Sequence, residues 1–246
     1  MLTNNNLLSA PGSKGSRIER MFSGIAPWYD FLNRLLSLRR DVFWRRELIQ
    51  GLRLPSHAVV LDLAAGTLDV SLECNRQHPQ VRVIAADFSL PMLLLGQKKL
   101  STRGCQVSIV PVSADAYALP FPEAAFDAVT IAFGIRNLPD RDAALAEILR
   151  VLKPGGTLAV LEFVPPESGL LQTLYKLYLN GILPLIGRIF SQHDFAYRYL
   201  AESIANFPSA VQFSRLMQEA GFQDVRYRLL TFGVVGLFYG CKPAEA

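Results

Sequence analysis

The apolar positions between residues 58 and 164 fall into five short runs rich in β-branched residues, and stretches with helical spacing separate them. The runs are AVVLDL from residue 58, VRVIAAD from 81, QVSIVPV from 106, FDAVTIAF from 126 and TLAVLEFV from 157. Continuous apolar runs of this length are typical of strands buried on both faces of a parallel sheet. The pattern therefore predicts a mainly parallel sheet built from βαβ units.

Helical spacing is clearest just before the fifth run. Apolar residues recur at i, i+3, i+4 and i+7 from Leu145 to Leu152, which predicts a helix that ends at the Lys153-Pro154-Gly155-Gly156 turn. A further helix is predicted from Ala210 to Ala220. The neighbouring runs DVRYRLLTF and VVGLFYG then predict an antiparallel pair of strands at the end of the chain.

The remaining segments are predicted to be appendages of one domain, 18–246. Residues 1–17 read as a flexible terminus, 18–53 as an N-terminal helical lid with a break near Pro27, and 168–206 as a helical insertion. Charged residues and a proline interrupt the apolar stretch from Leu170 to Phe190, and its longest uncharged part is well below the ~20 residues that cross a bilayer. No membrane span is predicted.

Composition limits the classes of function. With 246 residues, 50% hydrophobic and 19% charged, the chain can bury the core of an α/β domain. Residues 1–53 carry nine basic and four acidic side chains, which favours contact with phospholipid headgroups or a cofactor phosphate over nucleic acid. The three cysteines form no CxxC pair and the three histidines have no metal-ligand spacing, so we expect a cytoplasmic protein without a disulfide framework or a metal site.

A loop of small residues follows the first predicted strand. It runs from Asp62 through Gly66 and Thr67 to Asp69 and leads into a helix. At the carboxyl edge of a doubly wound sheet such a loop lets a ligand approach the backbone and the free N–H groups of the helix. We therefore expect a nucleotide-like ligand here.

Two acidic residues follow the next strands. Asp87 ends the second strand, at the distance from Gly66 where a carboxylate accepts hydrogen bonds from a ribose diol; the alternative is a cap for the helix after Ser89. Asp115 follows the third strand and could bind an adenine amino group, or be a solvated loop carboxylate. NAD and S-adenosylmethionine both fit this pattern, but the full G-x-G-x-x-G of a pyrophosphate site is absent, which disfavours a dehydrogenase.

From Arg20 to Gly240 the sequence resembles the ubiquinone/menaquinone biosynthesis C-methyltransferase family, which includes the demethylmenaquinone methyltransferases. The residues that carry the resemblance are Met21-Phe22, Ile25-Ala26-Pro27-Trp28-Tyr29-Asp30, Leu61-Asp62, Gly66-Thr67, Met92-Leu93, Ala118-Leu119-Pro120-Phe121, Phe133-Gly134-Ile135-Arg136-Asn137-Leu138, Arg150-Val151-Leu152-Lys153-Pro154-Gly155-Gly156, Leu161-Glu162-Phe163 and Tyr199-Leu200-Ala201-Glu202-Ser203-Ile204. LKPGG occurs in many methyltransferases, whereas FGIRN and YLAESI are much narrower motifs.

The resemblance implies a class I, Rossmann-like methyltransferase fold, in which a mostly parallel seven-stranded sheet has its last strand antiparallel. It also implies that Thr67, Asp87 and the Asp115-Ala116 pair contact S-adenosylmethionine, and Asp62 and Gly66 complete the expected cofactor site. Leu68 stands where the family usually has a second glycine, and Ala132 where it often has serine. Because a side chain at position 68 could crowd the cofactor or demand a φ that favours glycine, a catalytically silent cofactor-binding or assembly protein is an alternative.

The implied reaction is methylation of a ring carbon of a demethylated prenyl-quinol. Demethylmenaquinol is the first candidate, and a ubiquinone-type ring or another lipid or aromatic acceptor are alternatives. Because a phenol has a pKa near ~10, a cation must favour the phenolate, and Arg136 is the candidate. Alternatively Arg136 pairs with a loop carboxylate such as Asp140, and Asn137 caps the next helix.

Partners follow from the substrate. A prenyl tail needs an apolar groove, and a helical lid with basic flanks could lie on the bilayer surface, so we expect peripheral membrane contact; a homo-oligomer or a quinone-biosynthesis complex stays open. Tyr29, Asp30, Tyr197 and Arg198 lie in helical segments that could close over the sheet edge. The central expectation is spatial: the side chains at 67, 87 and 115 converge on one recess, with Arg136 at its rim and Leu68 outside it.

Overall fold

A computed structural model describes residue 37 and residues 39–103, 108–165 and 194–244. The main elements in chain order are α1 (Arg40–Gln50), β1 (Val59–Leu63), α2 (Asp69–Gln77), β2 (Arg82–Asp87), α3 (Leu90–Arg103), β3 (Ile109–Ser113), β4 (Phe126–Ala132), α4 (Arg141–Val151), β5 (Leu152–Phe163), α5 (Asp194–Ala205), α6 (Ala210–Glu219), β6 (Gln223–Leu230) and β7 (Val235–Cys241). Short 3-10 turns lie at Ile135–Asn137 and Thr231–Gly233. The expectations for the flexible terminus, for the break near Pro27 and for most of the 168–206 insertion fall outside the described residues.

The seven strands of the described residues form one sheet, in the order β3-β2-β1-β4-β5-β7-β6. Strands β1 to β5 pair in parallel, and β7 is antiparallel to both β5 and β6. The predicted fold is confirmed, including the antiparallel last strand. Because β1 to β5 are parallel, the loops that follow them meet at the same edge of the sheet.

Apolar side chains cover both faces of the sheet. Alternate residues of a strand point to opposite faces, so Val60 packs in one apolar layer and Leu61 in the other. The first layer contains residues of α1, α2 and α3, and the second contains residues of α4 and α6. The described part of the predicted lid is thus a helix packed on the sheet through Trp44 and Leu48; its role as a lid stays a prediction.

The fifth strand begins earlier than its apolar run indicates. It starts at Leu152, which pairs with Phe126, so that Lys153 to Gly156 belong to the strand instead of to a turn. Backbone bonds with the end of the chain support this extension: the Gly155 amide donates to the Lys242 carbonyl (3.0 Å), and the Lys242 amide donates to the Gly156 carbonyl (2.8 Å). Pairing with a distant segment therefore overrides the local turn signal.

Among the described residues, none of the helices combines the length and the apolar character that a bilayer span requires. The stretch from Leu170 to Phe190, for which the sequence predicted no span, lies outside the described residues.

Candidate active site

The loop after β1 is tied directly to the end of β2. The Gly66 amide donates a hydrogen bond to Asp87 Oδ2 (2.7 Å), and the Ser89 amide donates to Asp87 Oδ1 (2.7 Å). Gly66 takes a positive φ of 53°. Asp87 therefore caps the turn before α3, as the second interpretation of the sequence expected, and it also faces the glycine loop. Its contact with a ribose stays a prediction. Burial raises its pKa, and hydrogen bonds from backbone amides partly offset that rise.

The loop after β3 lies beside this pair. Asp87 is in register with Ser113, and the Ala114 amide donates to the Asp87 carbonyl (3.1 Å). Asp115 is two residues past Ser113, and its Oδ1 accepts a hydrogen bond from the Tyr117 amide (3.0 Å). Gly66, Asp87 and Asp115 thus follow three adjacent strands at one edge. Thr67 next to Gly66 is buried and Ala116 is half-buried; their contact with a cofactor stays a prediction.

Asp62 lies inside the protein, with 1% of its surface exposed. Its two carboxylate oxygens accept hydrogen bonds from Ser71 Oγ (2.6 Å) and Thr130 Oγ1 (2.9 Å). These bonds join β1 to α2 on one side and to β4 on the other. Burial raises the pKa of Asp62 to about 6, against the effect of the two hydroxyl donors. The geometry gives Asp62 a role in fixing the loop, and its predicted contact with the cofactor stays a prediction.

Leu68 turns its side chain into the core. Leu68 lies directly before α2 and takes the left-handed conformation (φ 68°, ψ 22°), which favours glycine. The residue is 0% exposed. A glycine in α3 makes room for it, because a Cβ on Gly96 would lie 2.3 Å from Leu68 Cγ. A side chain enclosed in the core does not fill a recess that opens to solvent.

Arg136 is buried at the carboxyl end of β4, in the 3-10 turn. Its Nη1 donates to Glu162 Oε1 (2.7 Å) and to the Phe133 carbonyl (2.6 Å), and its backbone amide donates to Glu162 Oε2 (3.2 Å). The suggested pairing with Asp140 is wrong. Asp140 caps α4 by accepting from the Ala143 amide (2.9 Å), because a carboxylate one residue before the helix reaches the free amides of its first turn.

Asn137 likewise does not cap α4. Its Oδ1 accepts a hydrogen bond from Tyr199 Oη (3.0 Å), so the FGIRN segment meets the YLAESI segment of α5. A cavity of about 400 Å³ opens at this contact. Arg136, Asn137, Arg141, Tyr199 and Glu202 are among the residues that line it. The residues around the cavity therefore include two arginines, a tyrosine and a glutamate.

The turn that contains Arg136 packs against the glycine loop. Gly134, two residues before Arg136, packs so closely on the loop after β1 that a Cβ there would lie 2.5 Å from Ala64 Cβ. Of the residues predicted to close over this edge, Tyr29 and Asp30 lie outside the described residues. At Tyr197 and Arg198 only the helical backbone is described.

Sequence reasoning missed the contacts that Glu162 makes with Arg136 and that Tyr199 makes with Asn137. The signal for Glu162 was present, because a single carboxylate interrupts the apolar run TLAVLEFV. Such a residue in a strand buried on both faces needs a partner. Tyr199 was visible only as part of a motif, since nothing local indicates that α5 reaches the turn after β4.

Known proteins share both sequence and fold with this chain. The ubiE/COQ5 methyltransferase family matches residues 11–242. A demethylmenaquinone methyltransferase of Thermus thermophilus is 48% identical over 223 residues, which is 91% of this chain and 100% of the relative. A ubiquinone/menaquinone biosynthesis C-methyltransferase of Geobacter sulfurreducens is 47% identical over 230 residues, covering 93% and 90%. The structure of an S-adenosylmethionine-dependent methyltransferase from Aquifex aeolicus has the same fold, with a TM-score of 0.58, 17% identity and coverage of 83% and 92%.

The contact between Leu68 and Gly96 generates a stability prediction. We expect Gly96→Ala to lower the free energy of unfolding by about 1–3 kcal/mol, because the added methyl group collides with Leu68. Replacing glycine by alanine inside a helix otherwise favours folding, so the sign of the change is diagnostic. In a Leu68→Ala background the same substitution should cost less. Urea unfolding of the four proteins tests this, and a Gly96→Ala variant as stable as the wild type contradicts it.

Asp62 generates a pH prediction. Because its pKa rises from 3.8 to about 6 on folding, the folded state binds the proton more tightly, and the stability that Asp62 contributes falls as the pH rises across that interval. Asp62→Asn cannot titrate, and the hydroxyls of Ser71 and Thr130 can rotate to serve an amide. The variant should therefore gain stability relative to the wild type between about pH 4 and about pH 6. Urea unfolding across this range measures the difference, and a pH-independent difference contradicts the assignment.

Proposed function

Since the chain belongs to the ubiE/COQ5 methyltransferase family, we propose that it transfers a methyl group from S-adenosylmethionine to a ring carbon of a demethylated prenyl-quinol. Demethylmenaquinol is the first acceptor to test, because relatives at 48% and 45% identity are demethylmenaquinone methyltransferases. One observation carries the proposal in this chain: the turn that holds Arg136, which lines the cavity, packs through Gly134 on the loop that Asp87 holds.

The residues at the ends of β1 and β2 fit the nucleoside of the cofactor. The oxygens of Asp87 accept hydrogen bonds from the Gly66 and Ser89 amides, and each carboxylate oxygen has two lone pairs, so Asp87 can accept a further bond from a ribose hydroxyl. Leu68 does not obstruct this position, because its side chain packs on Gly96. Asp115 and Ala116 are proposed to receive the adenine. When bound, S-adenosylmethionine supplies an electrophilic methyl group.

Arg136 is proposed to hold the acceptor oxygen. A guanidinium stays protonated, so it stabilises the phenolate that makes the ring carbon nucleophilic, and it does not remove the proton itself. Arg136 lines the cavity, and the bonds of its Nη1 to Glu162 and Phe133 fix the guanidinium in one orientation. Preorganised charge of this kind lowers the barrier without rearrangement during the reaction.

The catalytically silent alternative is not favoured. It was motivated by Leu68, whose side chain lies in the core. Acceptors with a ubiquinone-type ring remain a second candidate, because the Geobacter sulfurreducens relative is a ubiquinone/menaquinone biosynthesis enzyme.

We expect extracted lipid to gain one methyl group when the protein is incubated with labelled S-adenosylmethionine and reduced demethylmenaquinol, as read by mass spectrometry. Asp87→Asn should weaken cofactor binding about 10-fold to 100-fold, because hydrogen bonds to a charged acceptor are lost. Calorimetric titration measures this affinity.

Asp224→Asn is the matched control, because Asp224 is exposed on β6 and should leave the affinity unchanged. No transfer to demethylmenaquinol, together with transfer to a demethylated benzoquinol, would move the assignment to the second acceptor. Transfer to neither ring would overturn the proposed function.

A substrate with a prenyl tail resides in the bilayer, and we propose that the chain works at the cytoplasmic face of a membrane as a peripheral protein. Support comes from α1, where Val42 and Phe43 are 49% and 43% exposed next to the exposed Arg39 and Arg40. Apolar side chains beside basic ones are typical of helices that lie on anionic lipid. A homo-oligomer or a quinone-biosynthesis complex stays a prediction.

Flotation with anionic vesicles at low salt tests this location. We expect the wild type to float with the vesicles and a Val42→Ser/Phe43→Ser variant to float less, because two exposed apolar contacts are removed. Equal flotation of the two proteins contradicts the role of α1, and no flotation of the wild type contradicts the location.

A further inference from the structure

Glu162 is a carboxylate enclosed by the sheet at the end of β5, with 0% of its surface exposed. Three donors point at it: Arg136 Nη1 and the Phe163 amide bond to Oε1 (2.7 and 2.9 Å), and the Arg136 amide bonds to Oε2 (3.2 Å). One carboxylate therefore binds both the side chain and the backbone of the same arginine.

This arrangement fixes the direction of the Arg136 side chain. The bond from the Arg136 amide to Oε2 fixes the position of the Arg136 backbone in the 3-10 turn. The bond from Nη1 to Oε1 fixes the position of the guanidinium at the far end of the side chain. The Phe133 carbonyl and the Phe163 ring, 5.8 Å from the guanidinium carbon, enclose it further. The guanidinium thus bonds to two acceptors and lies near an aromatic ring, and these contacts restrict its rotation.

Stability alone does not explain such a pair. Removing two charges from water costs several kcal/mol per ion, and apolar residues of similar volume are often as stabilising at such positions. Val160, the preceding residue on the same face of β5, is an apolar core residue, so the strand itself does not require a carboxylate at position 162. The Glu162 carboxylate lies instead where it can fix the Arg136 side chain.

We propose that Glu162 is a positioning residue for methyl transfer, which holds the Arg136 guanidinium at the cavity wall in the orientation that receives the acceptor oxygen. The inference rests on the proposed function, because it assigns Glu162 an effect that is exerted through Arg136. Cofactor binding does not depend on it, since Gly66, Asp87 and Asp115 lie at the ends of other strands.

The test compares Glu162→Gln and Glu162→Asp with the wild type. We expect kcat for reduced demethylmenaquinol to fall tenfold or more in Glu162→Gln and less in Glu162→Asp, which keeps the charge. The affinity for S-adenosylmethionine, measured by calorimetry, should stay within twofold in both variants.

Glu147→Gln is the matched control. Glu147 also binds an arginine and a backbone amide, through Arg150 Nη2 (2.7 Å) and the Leu119 amide (2.8 Å), but it lies on α4 away from the cavity contacts. We expect its kcat to stay within twofold of the wild type. An equal loss of kcat in both glutamine variants would overturn the proposal.

Arg136→Gln supplies the decisive background. If Glu162 acts through Arg136, adding Glu162→Gln to Arg136→Gln leaves kcat unchanged, because no guanidinium remains to be held. The double variant also buries no unpaired charge, so it can be measured even where Glu162→Gln alone unfolds. A further tenfold loss in the double variant, or a wild-type kcat in Arg136→Gln, overturns the proposal. A wild type that turns over no quinol overturns the proposed function itself, so the two failures are distinguishable.

Discussion

The hydrogen bond from the Gly66 amide to Asp87 decides how the functional edge of the sheet is built. It joins the loop after β1 to the end of β2, and a second backbone bond, from the Ala65 amide to the Ala86 carbonyl (3.0 Å), lies beside it. With the loop held at this point, Leu68 begins α2 in a left-handed conformation and Ser71 reaches back to Asp62. The geometry of the glycine loop thus depends on a carboxylate of the neighbouring strand.

Three carboxylates lie near this edge, of which Asp62 and Glu162 are buried and Asp87 is half-buried. Burial raises the pKa of each, and each is held by hydroxyl, amide or guanidinium donors. Buried polar networks of this kind disfavour movement when every member has its partner. At the other end of the same sheet, Asp127 pairs with Lys153, whose side chain is 41% exposed, so water screens this ion pair. The protein therefore places its rigid polar groups where the ligands are proposed to bind.

The parallel strands were predictable because buried strands have long apolar runs, and the approach of Gly66 to Asp87 followed from the spacing of a known type of loop. Contacts between segments distant in sequence were not. The strand that begins at Leu152 depends on Lys242, and the contact of Asn137 depends on Tyr199. The helix cap was misassigned because Asn137 and Asp140 are both good capping residues, and only the backbone path past Leu138 places Asp140 next to the helix.

The fit between Leu68 and Gly96 limits how this sequence can change. Leucine at position 68 requires a residue without a side chain at position 96. Glycine at position 68 would leave a cavity in the core unless a larger residue replaced Gly96. A side chain added at position 96 alone, or glycine introduced at position 68 alone, gives a protein less stable than its parent. The two sites are therefore epistatic, and the order of their substitutions matters. The replacement of the usual family glycine by Leu68 therefore depends on residues at α2 and in α3, and a single mutation does not easily reverse it.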